Sequence, residues 1–131
     1  MKKLGILNQD ISNVVAGMGH LDMLVIGDAG LPIPSGTHRI DLALCPGVPG
    51  FLQTVQTVAE ELKVQQILIA HETFSVSPTI GKKLKEIFQG VEVVEISHNE
   101  LKELSAKAKA VIRTGEFTPY ANIILVSGVV F

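Results

Sequence analysis

Short apolar runs alternate along the chain with stretches whose apolar residues recur at helical spacing, and this alternation restricts the possible folds more than any other feature. Met23-Leu24-Val25-Ile26 and Gln66-Ile67-Leu68-Ile69-Ala70 read as buried strands, and Ala110-Val111-Ile112-Arg113 and Asn122-Ile123-Ile124-Leu125-Val126 as strands near the end. Arg39 to Leu44 predicts another strand with Ile40, Leu42 and Leu44 on one face, and Val91 to Ile96 alternates as a strand does. Between these lie helical stripes. The first is Ile11, Val14, Val15 and Met18, with capping oxygens on Asn8, Asp10 and Ser12, and the second runs from Phe51 or Leu52 through Val55, Val58, Ala59 and Leu62. The third is Ile80, Leu84, Ile87 and Phe88, opened by Ser77-Pro78, and the fourth is Leu101 and Leu104, capped by Ser97-His98-Asn99. Strand and helix in alternation predict a single α/β layered domain over residues 1–131, with a mainly parallel sheet flanked by helices.

Hydrophobic residues make up 47% of the chain and charged residues 18%, with a mean hydropathy of +0.38. A lone domain of 131 residues has difficulty covering that much apolar surface, which predicts self-association. The very apolar C-terminal run Ile123 to Phe131 points the same way. Net charge is −2, and no Lys/Arg cluster is interleaved with aromatic residues, so neither nucleic acid nor an anionic membrane is an expected partner. Asn8, Gln9 and Asp10 interrupt the apolar N-terminus before it reaches signal-peptide length, and no segment is long and apolar enough to span a bilayer. Cys45 is the only cysteine, so there is no internal disulfide, and the expected location is the cytoplasm.

Nucleotide and metal motifs fail on physical grounds. Gly17-Met18-Gly19 follows a helical stripe rather than a strand and lacks the third glycine of a dinucleotide loop. Gly81-Lys82 lacks the upstream glycine and the magnesium-holding hydroxyl of a phosphate-binding loop. His71-Glu72 has no second histidine at helical spacing, and one cysteine makes no zinc pattern. No cofactor and no metal are expected.

Histidine is the side chain best suited to giving and taking protons near neutral pH. His38 and His71 have no carboxylate or glycine setting that singles them out, and read as surface or core residues. His20 follows a glycine helix stop, with Asp22 close by and the Asp28-to-Pro34 loop one strand later. Its setting suits either a structural histidine or an imidazole and a carboxylate facing one cleft. His98 stands at a strand end and helix start, where it either caps the helix or points into the strand-end crevice. Lys102 shares its face at i+4 and on its own reads as a solvated position, while Tyr120 and Asn122 read as a turn into the last strand.

A set of motifs occurs in order: Leu7-Asn8, Gly19-His20 with Asp22, Asp28-Ala29-Gly30-Leu31-Pro32-Ile33-Pro34, Arg39-Ile40-Asp41, and Pro46-Gly47 with Pro49. His98 with Lys102, Ala110 to Glu116, Pro119 to Leu125, and Gly128-Val129 with Phe131 complete it. Together they resemble the D-ribose pyranase family of sugar mutarotases over nearly the whole chain. The related fucose mutarotase branch resembles it less, tending to carry a histidine where Gly30 stands and a glycine where Ala121 stands. The resemblance implies a general acid at His20 and contacts to D-ribose at Asp28, His98, Lys102 and the Tyr120-Ala121-Asn122 segment. It also implies a ring-like homodecamer with sites between subunits. The implied activity is interconversion of the pyranose and furanose forms of ribose. The alternatives are a non-catalytic sugar-binding accessory protein and a mutarotase for another monosaccharide such as fucose.

Overall fold

The computed structural model describes residues 1–131. In chain order the elements are α1 (Gln9–Gly17), β1 (Met23–Gly27), β2 (Arg39–Asp41), α2 (Phe51–Ala59), β3 (Val64–Ala70) and α3 (His71–Val76). They continue through α4 (Pro78–Ile87), β4 (Glu92–Ile96), α5 (His98–Ser105), β5 (Ala110–Arg113) and β6 (Ile123–Ser127). The strands form one sheet in the order β2-β5-β1-β6-β3-β4. All run the same way except β6, which is antiparallel to both neighbours, so the sheet is mixed but mainly parallel, as the alternation predicts.

The exception follows from chain length. Parallel strands need a crossover of about a dozen residues or more, usually helical, and residues 114–122 between β5 and β6 are too few. The chain therefore crosses the carboxyl end of β1 and returns down the sheet as β6, with Ile123 opposite Ile26 and Val126 opposite Met23.

Successive side chains on each central strand enter opposite layers. Leu24, Ile26, Ile67, Ile69, Ile123 and Leu125 pack with Ile11 and Val14 of α1, Phe51, Val55 and Val58 of α2, and Ile80 and Leu84 of α4. Val25, Leu68, Ala70, Val111, Ile124 and Val126 face the other way, under Leu101 of α5 and Leu31 of the loop after β1. Burial on both faces is why these strands read as unbroken apolar runs.

Local chemistry sets the ends. Asn8 Oδ1 accepts the Ile11 N–H at 2.9 Å and caps α1. Ser97 and Glu100 form a reciprocal capping box on α5. Two expectations need correction. β2 ends at Asp41, short of Leu44, because its partner β5 ends at Arg113 and the Asp41 carboxylate takes the Ala43 N–H at 3.2 Å. Ile40 is buried, whereas Leu44 is 81% exposed rather than on the same covered face. The short helix α3, for which the apolar spacing gives no signal, precedes Ser77-Pro78.

Leu125→Ala, in the middle of β6 and fully buried, should cost about 2–5 kcal/mol of stability. Leu44→Ala should cost less than about 0.5 kcal/mol. Urea unfolding at matched protein concentration, with the m-value unchanged, measures both.

Candidate active site

The segment that crosses β1 is pinned to it at each step. The N–H and the hydroxyl of buried Thr114 both donate to the Gly27 carbonyl, at 2.9 and 2.7 Å. The Ala29 N–H donates to the Glu116 carbonyl at 2.8 Å. Asn122, fully buried, then closes a reciprocal pair: its Oδ1 accepts the Asp28 N–H and its Nδ2 donates to Asp28 Oδ2, each at 2.9 Å. Gly27 makes the approach possible, since a Cβ there would lie 2.7 Å from Asn122 Oδ1 and 2.5 Å from the Leu31 side chain. Gly30 N–H fixes the other Asp28 oxygen at 2.9 Å. Each oxygen of this half-buried carboxylate retains lone-pair capacity for a further hydroxyl.

The Asp28-Ala29-Gly30 turn and residues Glu116 to Pro119 enclose a recess of about 320 Å³. Burial alone pushes the Glu116 carboxyl up, but the N–H groups of Phe51, Thr118 and Phe117 and the Thr118 hydroxyl together hold it below its ordinary value. Arg113 supports the turn from outside. Its guanidinium holds Asp41 with two hydrogen bonds, keeping that carboxyl below its usual range, and donates to the Ala29 carbonyl at 3.2 Å. A larger open hollow of about 490 Å³ on α3 and α4, lined by Phe74, Lys82 and Lys85 among others, gathers none of these groups.

The helices that follow β3 and β4 supply the other wall. His98 is the first residue of α5, and its ring meets the Tyr120 ring edge-on, with centroids 5.0 Å apart and planes at 84°. Its backbone N–H donates to Glu72 Oε2 at 3.0 Å. Tyr120 has φ +59°, a conformation that costs a residue other than glycine on the order of 1–3 kcal/mol. Its carbonyl accepts from the Thr73 hydroxyl at 2.7 Å and from the Asn122 N–H at 2.9 Å, and the Ser77 hydroxyl donates to the Pro119 carbonyl at 2.6 Å.

Desolvation lowers the His98 pKa, the Lys102 charge lowers it further, and Glu72 and Asp28 oppose both. Of the expected residues, His98 and Tyr120 are in direct contact, Asp28 and Asn122 are bonded to each other, Lys102 lies within the electrostatic reach of His98, and Ala121 is buried; all of them lie toward the same end of the sheet. His98 Nδ1 is buried without a hydrogen-bond partner, an unmet group of a kind that costs about 1–3 kcal/mol.

His20 is elsewhere. It precedes β1 at the amino end of the strand, while Asp28 follows it at the carboxyl end, and the strand between them extends about 13 Å. His20 Nε2 lies 3.0 Å from Gln65 Oε1, and the following residue, Leu21, bonds through its N–H to the Ser127 carbonyl at 2.9 Å. Asp22 accepts the Gly19 N–H at 2.8 Å. The expectation that imidazole and loop carboxylate face one cleft is not met within one chain. His38 is exposed, and exposed His71 pairs with Glu95 at 3.3 Å. Glu72, Thr73 and Ser77 support His98, Tyr120 and Pro119 through hydrogen bonds, although in the sequence Glu72 enters only a rejected metal motif, Ser77 only a helix opening, and Thr73 no motif at all. They lie on or beside α3, too short a helix to show an amphipathic period.

Residues 1–130 match the RbsD / FucU transport protein family. The D-ribose pyranase of Clostridium perfringens (strain SM101 / Type A) is 58% identical over 131 residues, the full length of both chains. That of Symbiobacterium thermophilum is 56% identical over the same span. Among solved structures, Bacillus subtilis RbsD complexed with D-ribose superposes with a TM-score of 0.97 at 49% identity, covering all of both chains. The fucose mutarotase of Streptococcus pneumoniae in complex with L-fucose gives 0.81 at 26% identity over 95% of each.

The electrostatics predict a specific titration. The His98 midpoint, read by NMR of the imidazole carbons, should lie below the ordinary value of about 6.5. Lys102→Gln should raise it and Glu72→Gln should lower it. Because the folded-state pKa is depressed, the unfolded chain binds the proton first as pH falls through about 6.5, so His98 subtracts stability below that pH and none above it. Unchanged midpoints in both variants would remove Lys102 and Glu72 from the field at His98.

Proposed function

The chain belongs to the RbsD / FucU family, and on that premise we propose that it is a D-ribose pyranase, an isomerase that interconverts the pyranose and furanose rings of ribose in the cytoplasm. The observation that carries this reading is the gathering of hydroxyl partners at the carboxyl end of β1. They are a carboxylate locked by Asn122 and an imidazole and a tyrosine ring packed edge to face, all toward the same end of the sheet. Open α/β sheets bind ligands at such strand ends. Asp28, His98, Lys102 and Tyr120 hold the sugar through side chains, while the fully buried Asn122 and Ala121 serve the same contacts from beneath, Asn122 by fixing the Asp28 carboxylate.

The chemistry is two coupled proton transfers. The proton leaves the anomeric hydroxyl, the C1–O5 bond of the pyranose breaks, and O5 takes up a proton to give the open-chain aldehyde. Attack of the C4 hydroxyl oxygen on C1, with loss of that hydroxyl's proton and protonation of the carbonyl oxygen, closes the furanose. Atoms balance without oxidant, reductant or metal. His20 is the acid that protonates the departing ring oxygen and recovers a proton on closure, a role worth on the order of 10²–10⁴ in rate.

His20 reaches the sugar from a neighbouring copy. Its separation from Asp28 along β1 supports this, as does an exposed apolar side chain beside each half: Leu21, 60% exposed, next to His20, and Phe117, 69% exposed, on the rim of the recess. Val130 and Phe131 add further apolar surface to cover. The assembly is a ring-like homodecamer with sites between subunits, and each site joins the His20 end of one copy to the Asp28 end of the next.

His20→Ala should lower ring exchange of ribose, followed by saturation-transfer NMR, by on the order of 10² or more while sparing binding. Asn122→Ala should weaken binding by at least roughly 2- to 12-fold, equivalent to about 0.5–1.5 kcal/mol. Oligomers assembled from equal amounts of the two variants should recover wild-type exchange together with wild-type affinity at about a quarter of their sites, those pairing an intact half from each variant. No recovery would show that the two halves act within one copy. Sugar binding by the wild-type protein without exchange would favour the accessory-protein reading, and preferred exchange of fucose would favour the fucose branch.

A further inference from the structure

Helix α3 leaves the carboxyl end of β3, which places its residues at the same end of the sheet as Asp28 and His98. At six residues it is too short to persist alone, and its neighbours hold it. The Phe74 ring packs so closely on α4 that a Cβ at Gly81 would overlap it, and Lys85 Nζ sits 4.5 Å from the ring centroid. The corner between α3 and α4 is thus a fixed support facing residues 119–120.

Two hydroxyls project from that support. Thr73 is fully buried and Ser77 is 8% exposed; they donate to the consecutive carbonyls of Tyr120 and Pro119. Tyr120 adopts φ +59°, which it would leave if unconstrained, and its ring is the one standing edge-on to His98. No other side-chain hydroxyl donates to either carbonyl. We propose that Thr73 and Ser77 are positioning residues for the isomerase. By clamping the Tyr120 and Pro119 carbonyls they hold the Tyr120 ring in the left-handed turn that aims it into the sugar crevice. This inference rests on the reading of Tyr120 as a sugar contact.

The chain offers an unusually direct probe, because it contains one tyrosine and no tryptophan. With excitation beyond the absorption of the five phenylalanines, near-ultraviolet emission and its anisotropy therefore report the Tyr120 ring alone. Thr73→Val keeps the volume and removes the hydroxyl. It should change the emission and lower the anisotropy of the sugar-free protein, raise KM for ribose at least fivefold, and alter kcat by less than twofold. Thr73→Ser should restore all three, and Ser77→Ala should shift them in the same direction by a smaller factor, giving a second route if the valine variant folds poorly. Circular dichroism and oligomer size are checked in parallel on each variant.

A purely structural hydroxyl would lower the melting temperature and leave the emission of the folded protein unchanged. Wild-type emission and anisotropy in both Thr73→Val and Ser77→Ala overturn the proposal, whatever happens to KM. Altered emission with an unchanged KM upholds the clamp and instead removes Tyr120 from the sugar contacts.

Discussion

The reciprocal hydrogen bonds between Asp28 and Asn122 are the joint on which the rest of the site depends. They tie the end of β1 to the start of β6, two points far apart in sequence, and orient the carboxylate with a fully buried amide. A buried amide is costly unless its groups are paired, so the pair is formed together or not at all. Gly27 supplies the space and Thr114 anchors the crossing segment at its other end. Residues 114–122 are too few for a helical crossover, so β6 runs opposite to its neighbours, and the joint fastens that return to the end of β1. The one irregularity in a mainly parallel sheet is therefore also the device that brings Tyr120 and Asn122 over the end of β1.

Most of the layering is legible in the residues. Val25, Leu68 and Ile124 show no polar alternation with their neighbours because helices or loops cover both faces of the sheet, and unbroken apolar runs signal that arrangement. The caps at Asn8 and Ser97 are local, and local chemistry is written locally. What escaped is either too short or non-local. α3 spans fewer than two turns, so its apolar residues establish no period. β2 stops where β5 stops, a fact about its partner rather than about Leu42 or Leu44. Asp28, His98 and Tyr120 carry a family resemblance, but only the topology shows that β1, α5 and the β6 approach converge.

The His20 position illustrates the limit more sharply. Closeness in sequence to Asp22 and Asp28 suggests closeness in space, yet an extended strand is the conformation that separates its two ends most. Asp22 stays with the His20 end and Asp28 goes to the other. On the proposed reading each copy thus presents two chemically different half-sites, an imidazole at one end of the sheet and a hydroxyl-binding group of residues at the other. Contacts that join unlike ends complete a site, whereas contacts that pair like ends leave both halves unused. In the proposed assembly, association thus has a catalytic meaning in addition to covering the exposed Leu21, Phe117 and C-terminal residues.

Charge at the crevice bears on which form of a sugar it admits. The charges of Asp28, Glu72 and Lys102 act on His98, and Glu116 joins Asp28 on the neighbouring recess, so carboxylates outnumber ammonium groups among them. Desolvation and Lys102 together keep His98 neutral near pH 7, so its ring holds one donor and one acceptor, as a hydroxyl does, instead of two donors. Hydroxyls match such groups singly and without net charge. A phosphorylated sugar would bring about two negative charges toward three carboxylates, with no guanidinium aimed at it, since Arg113 is already committed to Asp41 and the Ala29 carbonyl. Repulsion between like charges grows as the effective dielectric falls, and it is strongest where the crevice is driest. On the proposed reading, these charges favour a free, neutral sugar over a phosphorylated one.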